Sequence, residues 1–253
     1  MKTSKTDFAK HLLALKKTLF PGSCSFCREN LYATQQILCS NCIKNLPYAV
    51  SFCVKVAEPL PSMGICPICQ KKPPNYRRCL TLCNYSYPIP EIIHHIKTHP
   101  FALGTNQLSV LLAKHISAAY ARMEIPKIII PMPSHPLKIL SRGFNPSDLI
   151  AQILSNKLSG TLVLKNVCFR KHLGKPQRNK TRRQRMKILN STFQTKQHSA
   201  IQGKSLALVD DVATTGSTAR AATASLLMAG AKSVDLWCIA KTSWHNHSSS
   251  IKM

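Results

Sequence analysis

Apolar and polar positions along residues 105–240 alternate between two periods. The segments with helical periodicity are 105–123, 146–158 and 217–228. The short apolar runs suited to strands are 127–133, 160–169, 205–209 and 233–240. Because strands and helices follow one another in turn, this part of the chain predicts an α/β fold with a mostly parallel sheet and flanking helices.

The N-terminal stretch predicts an amphipathic helix. Phe8, Leu12, Leu15 and Leu19 recur at helical spacing, while polar and basic residues between them interrupt any long apolar run. We therefore expect neither a signal peptide nor a membrane span here, and we expect the protein to be cytoplasmic.

Cysteines divide the chain into two parts. Nine of the eleven lie between Cys24 and Cys83. Pro88 and Pro90 then break regular structure before the α/β pattern starts. This predicts an N-terminal helix and Cys-rich module at 1–84, a larger domain at 85–242 and a C-terminal tail at 243–253.

Two cysteine pairs have the spacing of a metal site. Cys24-x2-Cys27 and Cys39-x2-Cys42 each present two thiolates, and eleven residues separate the pairs. In a reducing compartment this spacing favours a metal over disulfides. Four thiolates complete a closed tetrahedral shell, so we predict a structural Zn²⁺ in a small zinc-finger-like module with four cysteine ligands.

The stretch "LALVDDVATTGST" at 206–218 sets two of the chain's nine acids directly after an apolar run. Backbone N–H groups of a Thr/Gly/Ser turn that opens a helix bind phosphate, whereas Asp210 and Asp211 accept hydrogen bonds from vicinal hydroxyls or hold a hydrated divalent cation. Together these groups suit a ribose 5-phosphate. The alternative interpretation is an Asp-capped helix after a strand.

That stretch resembles the signature by which type I phosphoribosyltransferase-fold proteins bind phosphoribosyl pyrophosphate (PRPP). The segments 92–97, 129–154 and 230–242, with the cysteine module, extend the resemblance to the ComF/GntX family, whose members include DNA-uptake proteins of natural competence. The resemblance implies a type I phosphoribosyltransferase-like domain, Mg²⁺ bound with PRPP, and ribose hydroxyls at the two acids. The residues that it assigns to PRPP are Asp210, Asp211, Ala213, Thr214, Thr215, Gly216, Ser217 and Thr218.

The same resemblance implies where diphosphate binds. It assigns this role to the loop at 131–135, in which we single out Pro133, Ser134 and His135, and to anion-seeking arginines. Arg142 belongs to the family's Arg-Gly-Phe-Asn signature, and Arg170 lies within the basic stretch at 165–187.

A second zinc site is less complete in this sequence. The family has two further Cys-x2-Cys pairs, and Cys66-x2-Cys69 is intact, whereas Cys53 is followed by Val56 where its partner would be. Either Cys79 or Cys83 supplies a fourth ligand, or the site is lost or weakened.

The chain carries 35 Lys and Arg against nine acids, a formal charge of +26. Ten of these cations lie within 165–187. One or two would suffice for diphosphate, and the surplus favours a polyanion, with single-stranded DNA as our first choice. The residues that we assign to nucleic acid are Lys171, Lys175, Arg178, Lys180, Arg182, Arg183, Arg185 and Lys187. The alternative is a basic loop that serves only diphosphate.

Three functions fit these features. The first is a PRPP-binding ComF-like protein that handles single-stranded DNA during natural transformation, together with competence or DNA-processing proteins. The second is an active phosphoribosyltransferase that acts on an unidentified acceptor. The third is a protein whose DNA or partner binding is regulated by PRPP. Spacing supports no nucleophilic triad, tandem His94 and His95 fit packing and surface roles, and Trp237 and Cys238 fit the core.

Overall fold

The computed structural model describes residues 22–31, 36–99, 103–170, 192–196 and 199–243. Its centre is a five-stranded sheet in which every neighbouring pair of strands is parallel. In spatial order the strands are β3 (Cys79–Asn84), β9 (Ser233–Lys241), β8 (Ser205–Ala213), β4 (Ile128–Pro131) and β5 (Leu162–Val163).

Two short antiparallel pairs accompany this sheet. They are β1 (Gly22–Ser23) with β2 (Asn30–Leu31), and β6 (Cys168–Arg170) with β7 (Phe193–Thr195). The helices are α1 (Ser40–Lys44), α2 (Pro67–Lys71), α3 (Ile89–Thr98), α4 (Leu103–Ala119), α5 (Pro136–Arg142), α6 (Pro146–Lys157) and α7 (Ser217–Met228). A 3-10 turn at Ser199–Ile201 precedes β8.

Alternation along β8 divides the core between the two faces of the sheet. Leu206 and Leu208 pack on the face covered by α7, whereas Ala207 and Val209 pack on the face covered by α3, α4 and α6. Because side chains alternate between the faces of a strand, both sets are fully buried in this central strand. The predicted fold class, a mostly parallel sheet with flanking helices behind a cysteine module, is confirmed.

Most predicted segments match observed elements. The predicted helices 105–123, 146–158 and 217–228 correspond to α4, α6 and α7. β8 is longer than predicted, because β9 continues to Lys241 and offers ladder partners as far as Ala213. The two acids therefore lie within the carboxyl end of a strand and not in the loop after it.

The predicted boundary at residue 84 does not separate the sheet from the cysteine module. β3 lies within the predicted 1–84 segment, yet it pairs with β9 along Cys79–Asn84 and forms an edge of the sheet. The apolar alternation of "CLTLCN" is typical of a strand, but its two cysteines group it with the metal ligands when only cysteine density is considered. The predicted N-terminal helix lies outside the described residues, as does most of the tail.

Candidate PRPP and zinc sites

The acid pair lies at the carboxyl end of the central strand. Asp210 is in register with Cys238 of β9, and its Oδ1 accepts hydrogen bonds from the backbone N–H of Asp211 (2.9 Å) and from Ser147 Oγ (3.2 Å). Asp211 Oδ1 accepts one from the backbone N–H of Val212 (2.7 Å). These contacts hold both carboxylates at the edge where ligands bind in parallel sheets.

The two acids have different electrostatic surroundings. Burial, together with the charge of Asp211, raises the pKa of Asp210 to about 7. Asp211 Oδ2 instead lies 3.1 Å from Nζ of Lys97, which projects from the last turn of α3. A cation placed against this pair would relieve the repulsion that burial makes costly.

The turn after the acids leads into α7. Gly216, the N-cap of α7, has φ of +74°, a left-handed conformation in which a side chain is strained. A Cβ at this position would also lie 3.0 Å from the hydroxyl of Tyr76. Thr215 Oγ1 accepts a hydrogen bond from the backbone N–H of Ser217 (3.4 Å) and donates one to Ser217 Oγ (3.1 Å). The turn thus presents small, hydroxyl-bearing residues at a helix start that favours anions.

A second loop approaches from β4. Met132 N–H donates to the carbonyl of Val209 (2.7 Å), which keeps this loop beside β8. Asn145 secures the loop from the other side, because its Nδ2 donates to the Met132 carbonyl (3.0 Å) and its Oδ1 accepts from Ser134 Oγ (2.8 Å). The same Nδ2 donates to Asp148 (2.9 Å). The asparagine of the Arg-Gly-Phe-Asn segment is therefore a buried residue that holds the loop in place by hydrogen bonds.

These loops enclose a polar cleft of about 160 Å³. The lining contains predicted site residues and three polar side chains that our sequence assignment left out, Lys97, Lys138 and Ser147. The predicted residues in the lining are Pro133, Ser134, His135, Arg142, Arg170, Asp210, Asp211 and Thr218. Ala213, Thr214, Thr215, Gly216 and Ser217 lie in the adjoining turn. Four cations and two carboxylates thus share one cleft.

The three additional residues differ in how far the sequence indicates them. All three belong to family-like segments, Lys97 to 92–97 and the other two to 129–154, and Ser147 follows closely after the Arg-Gly-Phe-Asn signature. Lys138 lies one helical turn before Arg142 in α5, so both project to the same side of that helix. The helical spacing of two cations after the diphosphate loop is the signal that could have identified Lys138.

The first cysteine cluster has the geometry of a closed metal site. One ligand atom from each of Cys24, Cys27, Cys39 and Cys42 lies within 4.8 Å of all the others. Sulfurs around a tetrahedral zinc are about 3.8 Å apart when Zn–S is about 2.3 Å. Backbone N–H groups also point at the sulfurs, as from Cys39 to Cys24 Sγ (3.4 Å). The donor set fits a structural zinc with no open position.

The second cluster contains three thiols. Cys53, Cys66 and Cys69 are all buried, and their sulfurs lie within 4.8 Å of one another. Cys79 and Cys83 lie on β3 and join neither cluster. Among the described residues the structure brings no fourth His, Cys, Asp or Glu to this cluster.

The residues that we assigned to nucleic acid, 171–187, lie outside the described residues. Arg170, just before them, is half-buried at the end of β6 and reaches the cleft. Trp237 and Cys238 are fully buried in β9, as predicted. In the part of the chain that the structure describes, every helix is too short or too polar to span a bilayer.

Comparisons with known proteins bear on the cysteine module and on the family of the whole chain. A family model described as a double zinc ribbon domain matches residues 15–70. DNA utilization protein YhgH of Salmonella typhimurium is 30% identical over 226 residues, which cover 88% of this chain and 98% of that protein. Competence protein F of Haemophilus influenzae is 30% identical over 231 residues, with the same two coverages.

Solved structures similar to this chain include phosphoribosyltransferases. The purine phosphoribosyltransferase of Pyrococcus horikoshii is 18% identical, covers 55% of this chain and 75% of its own, and has a TM-score of 0.36. A hypoxanthine phosphoribosyltransferase of Staphylococcus aureus is 12% identical, covers 54% and 62%, and has a TM-score of 0.34. Similarity at this level carries no argument about the chemistry of the cleft, which is argued from the residues that line it.

Proposed function

The chain belongs to the ComF/GntX family of competence and DNA-utilization proteins, and we propose that it binds Mg-PRPP and handles single-stranded DNA in the cytoplasm during natural transformation. The observation that carries the PRPP part is a single cleft that contains two carboxylates and four cations and adjoins the turn at the start of α7. PRPP has the complementary groups: vicinal hydroxyls, a 5-phosphate and a diphosphate.

Each part of PRPP has a complementary set of residues. Asp210 and Asp211 would accept hydrogen bonds from the ribose hydroxyls. The turn at 213–218 and the start of α7 would hold the 5-phosphate. Lys138 and Arg142 would meet the diphosphate beside Ser134, and Mg²⁺, when bound with PRPP, would neutralise part of its charge.

Phosphorus NMR of Mg-PRPP with the full chain tests this assignment. We expect the three phosphorus signals to broaden on addition of protein, and to remain sharp with an Asp210→Asn/Asp211→Asn variant that keeps the wild-type circular dichroism spectrum. Sharp signals with the wild-type chain would overturn the PRPP assignment.

The DNA part of the proposal rests on charge and on the family. A chain with a net charge of +26 carries far more cation than one diphosphate needs. Its binding to DNA would be mainly electrostatic and tolerant of sequence. We expect affinity for a single-stranded oligonucleotide to fall at least about a hundredfold between roughly 50 and 500 mM salt, as contacts to several phosphates imply. Binding that is absent at low salt, or unaffected by salt, would contradict this part.

A phosphoribosyltransferase activity is the second candidate function. Such transfer needs positioning and charge stabilisation of the leaving diphosphate, which the cations of the cleft could supply. The test adds small-molecule extract from the source cells to protein and Mg-PRPP. Release of diphosphate that requires both the extract and the wild-type cleft residues would establish turnover. If no diphosphate is released, the protein binds PRPP without transferring its ribose 5-phosphate.

PRPP could also regulate DNA binding, the third function that the sequence suggested. Coupling between two ligands must change both affinities by the same factor. Oligonucleotide affinity measured with and without saturating Mg-PRPP therefore tests it, and equal affinities would exclude regulation of this kind.

A further inference from the structure

The two halves of the cysteine module repeat one backbone pattern. The carbonyl of Cys24 accepts a hydrogen bond from Arg28 N–H (3.1 Å), and the carbonyl of Cys53 accepts one from Ala57 N–H (2.7 Å). Both donors are four residues after the cysteine, and both have positive φ, +63° and +54°. The turns are therefore equivalent position by position.

The sulfurs in these turns also receive equivalent contacts. Cys39 N–H lies 3.4 Å from Cys24 Sγ, and Cys66 N–H lies 3.3 Å from Cys53 Sγ. Cys39 and Cys66 are each the N-cap of a five-residue helix, α1 and α2. Since the repeat holds at every one of these positions, Val56 stands where Cys27 stands in the first half.

Val56 fills the place of the fourth ligand with an apolar side chain. It is 3% exposed and packs in the same buried cluster as the three thiols. A water molecule needs polar partners to occupy such a place, and an isopropyl group offers none. Zinc in structural sites is almost always four-coordinate, so three thiolates next to Val56 do not fit it.

The second half has other means of attachment. Glu58 Oε2 and Lys241 Nζ form a buried ion pair at 3.1 Å that joins this half to the end of β9. Ser243 Oγ donates a hydrogen bond to Glu58 Oε1 (2.8 Å). Phe52 and Tyr76 pack in the core that covers the α7 face of the sheet. These contacts can hold the fold where a metal would otherwise do so.

We propose that the second cysteine cluster is a three-thiol remnant that does not retain zinc, so that each chain holds one zinc although its module has the double-ribbon form. The zinc is bound by Cys24, Cys27, Cys39 and Cys42. The cluster of Cys53, Cys66 and Cys69 remains as buried thiols.

Zinc content of the full chain, measured by mass spectrometry of the metal after dialysis against a chelator, tests the proposal. We expect one zinc in the wild type and two in Val56→Cys, which restores the fourth ligand. Val54→Cys is the matched control, because it adds a thiol two residues away, where the side chain lines a separate apolar cavity, and it should keep one zinc. Two zincs in the wild type, or one in a folded Val56→Cys variant, would overturn the proposal.

If the Val56→Cys chain does not fold, a second pair of variants tests the same proposal. Cys69→Ser should leave one zinc per chain, whereas Cys42→Ser should abolish zinc retention. Both remove the last cysteine of a half, so they differ only in the half affected. A wild-type chain that holds two zincs, of which Cys69→Ser loses one, would contradict the inference.

Discussion

The two ends of the parallel sheet carry clefts that differ in volume and in their acidic residues. The carboxyl end has the smaller cleft, about 160 Å³, in which the acid pair faces cations and the start of α7. The amino end has a cleft of about 600 Å³, lined by four cations and the carboxylate of Glu124. The cations of the amino end are Arg77, Lys127, Lys204 and Lys232.

Chain direction explains this difference better than cleft size does. Helices that follow parallel strands start at the carboxyl end, where their unpaired N–H groups face a ligand, and return to the amino end with their carbonyls. α4, α6 and α7 all return in this way before β4, β5 and β9. Lysines at the amino end can therefore complement the helix carbonyls, and Arg77 is already paired with Asp235 (Nε to Oδ1, 2.8 Å). Volume alone would select the amino end and not the carboxyl end, where we propose that PRPP binds.

The largest expected effect comes from removing both carboxylates. Asp210→Asn/Asp211→Asn should weaken Mg-PRPP binding at least about a hundredfold, since a hydrogen bond to a charged group contributes about 1.5 to 3 kcal/mol. Titration calorimetry measures it. Glu124→Gln, which removes the acid from the amino-end cleft, is the matched control and should leave the affinity unchanged. If both variants lost Mg-PRPP affinity equally, the carboxyl-end cleft could not be distinguished from the amino-end cleft as the PRPP site.

The next effect compares one cation from each cleft. Arg142→Ala should weaken Mg-PRPP binding about tenfold or more, because it removes a charged hydrogen-bond donor from the cleft. Lys232→Ala, at the amino end, should change it less than about twofold, as for an exposed charge well removed from the ligand. The same calorimetric titration compares them, and the reverse order of effects would place the ligand at the amino end.

A smaller loss should follow from a methyl group in the phosphate turn. Gly216→Ala places Cβ in a left-handed conformation, which costs roughly 1 to 2 kcal/mol, and brings it against the Tyr76 hydroxyl. We expect Mg-PRPP to bind several-fold more weakly. Tyr76→Phe, which removes that hydroxyl, should restore part of the loss. If the double variant binds as weakly as Gly216→Ala alone, Tyr76 does not limit the turn.

The smallest expected effect concerns stability. The pKa of Asp210 is raised in the folded chain, so between about pH 4 and 7 the folded state binds more protons than the unfolded state, and stability falls as pH rises. Asp210→Asn should therefore raise the melting temperature at about pH 8 and raise it less at about pH 5. Scanning calorimetry at the two pH values checks this. A greater gain at the lower pH would have the wrong sign.

Local patterns in the sequence sufficed for much of this fold. The periodicity of 146–158 and 217–228 predicts α6 and α7, because their apolar stripes have the helical repeat and Pro146 is suited to a first turn. The hypothesis of a phosphate site at 213–218 also comes from local sequence, because the residues that carry it are contiguous in the chain, and it stays a prediction. The strand character of 79–84 was missed, since cysteines serve both in buried strands and as metal ligands.

The remaining features depend on contacts between residues that are distant in the sequence. No local pattern shows that Lys97 reaches Asp211 across the sheet edge, because the two residues are far apart in the chain and belong to different elements. The raised pKa of Asp210 likewise follows from burial among other segments. Cys79 and Cys83 could be excluded from the second cluster only when β3 was placed in the sheet.

A crystal structure of the full chain with Mg-PRPP tests the central claim most directly. We predict that the ribose hydroxyls lie against Asp210 and Asp211, the 5-phosphate in the turn at 213–218, and the diphosphate between Ser134 and Arg142. PRPP bound in the amino-end cleft, or absent from crystals at saturating concentration while the carboxyl-end cleft stays open to solvent, would contradict the account.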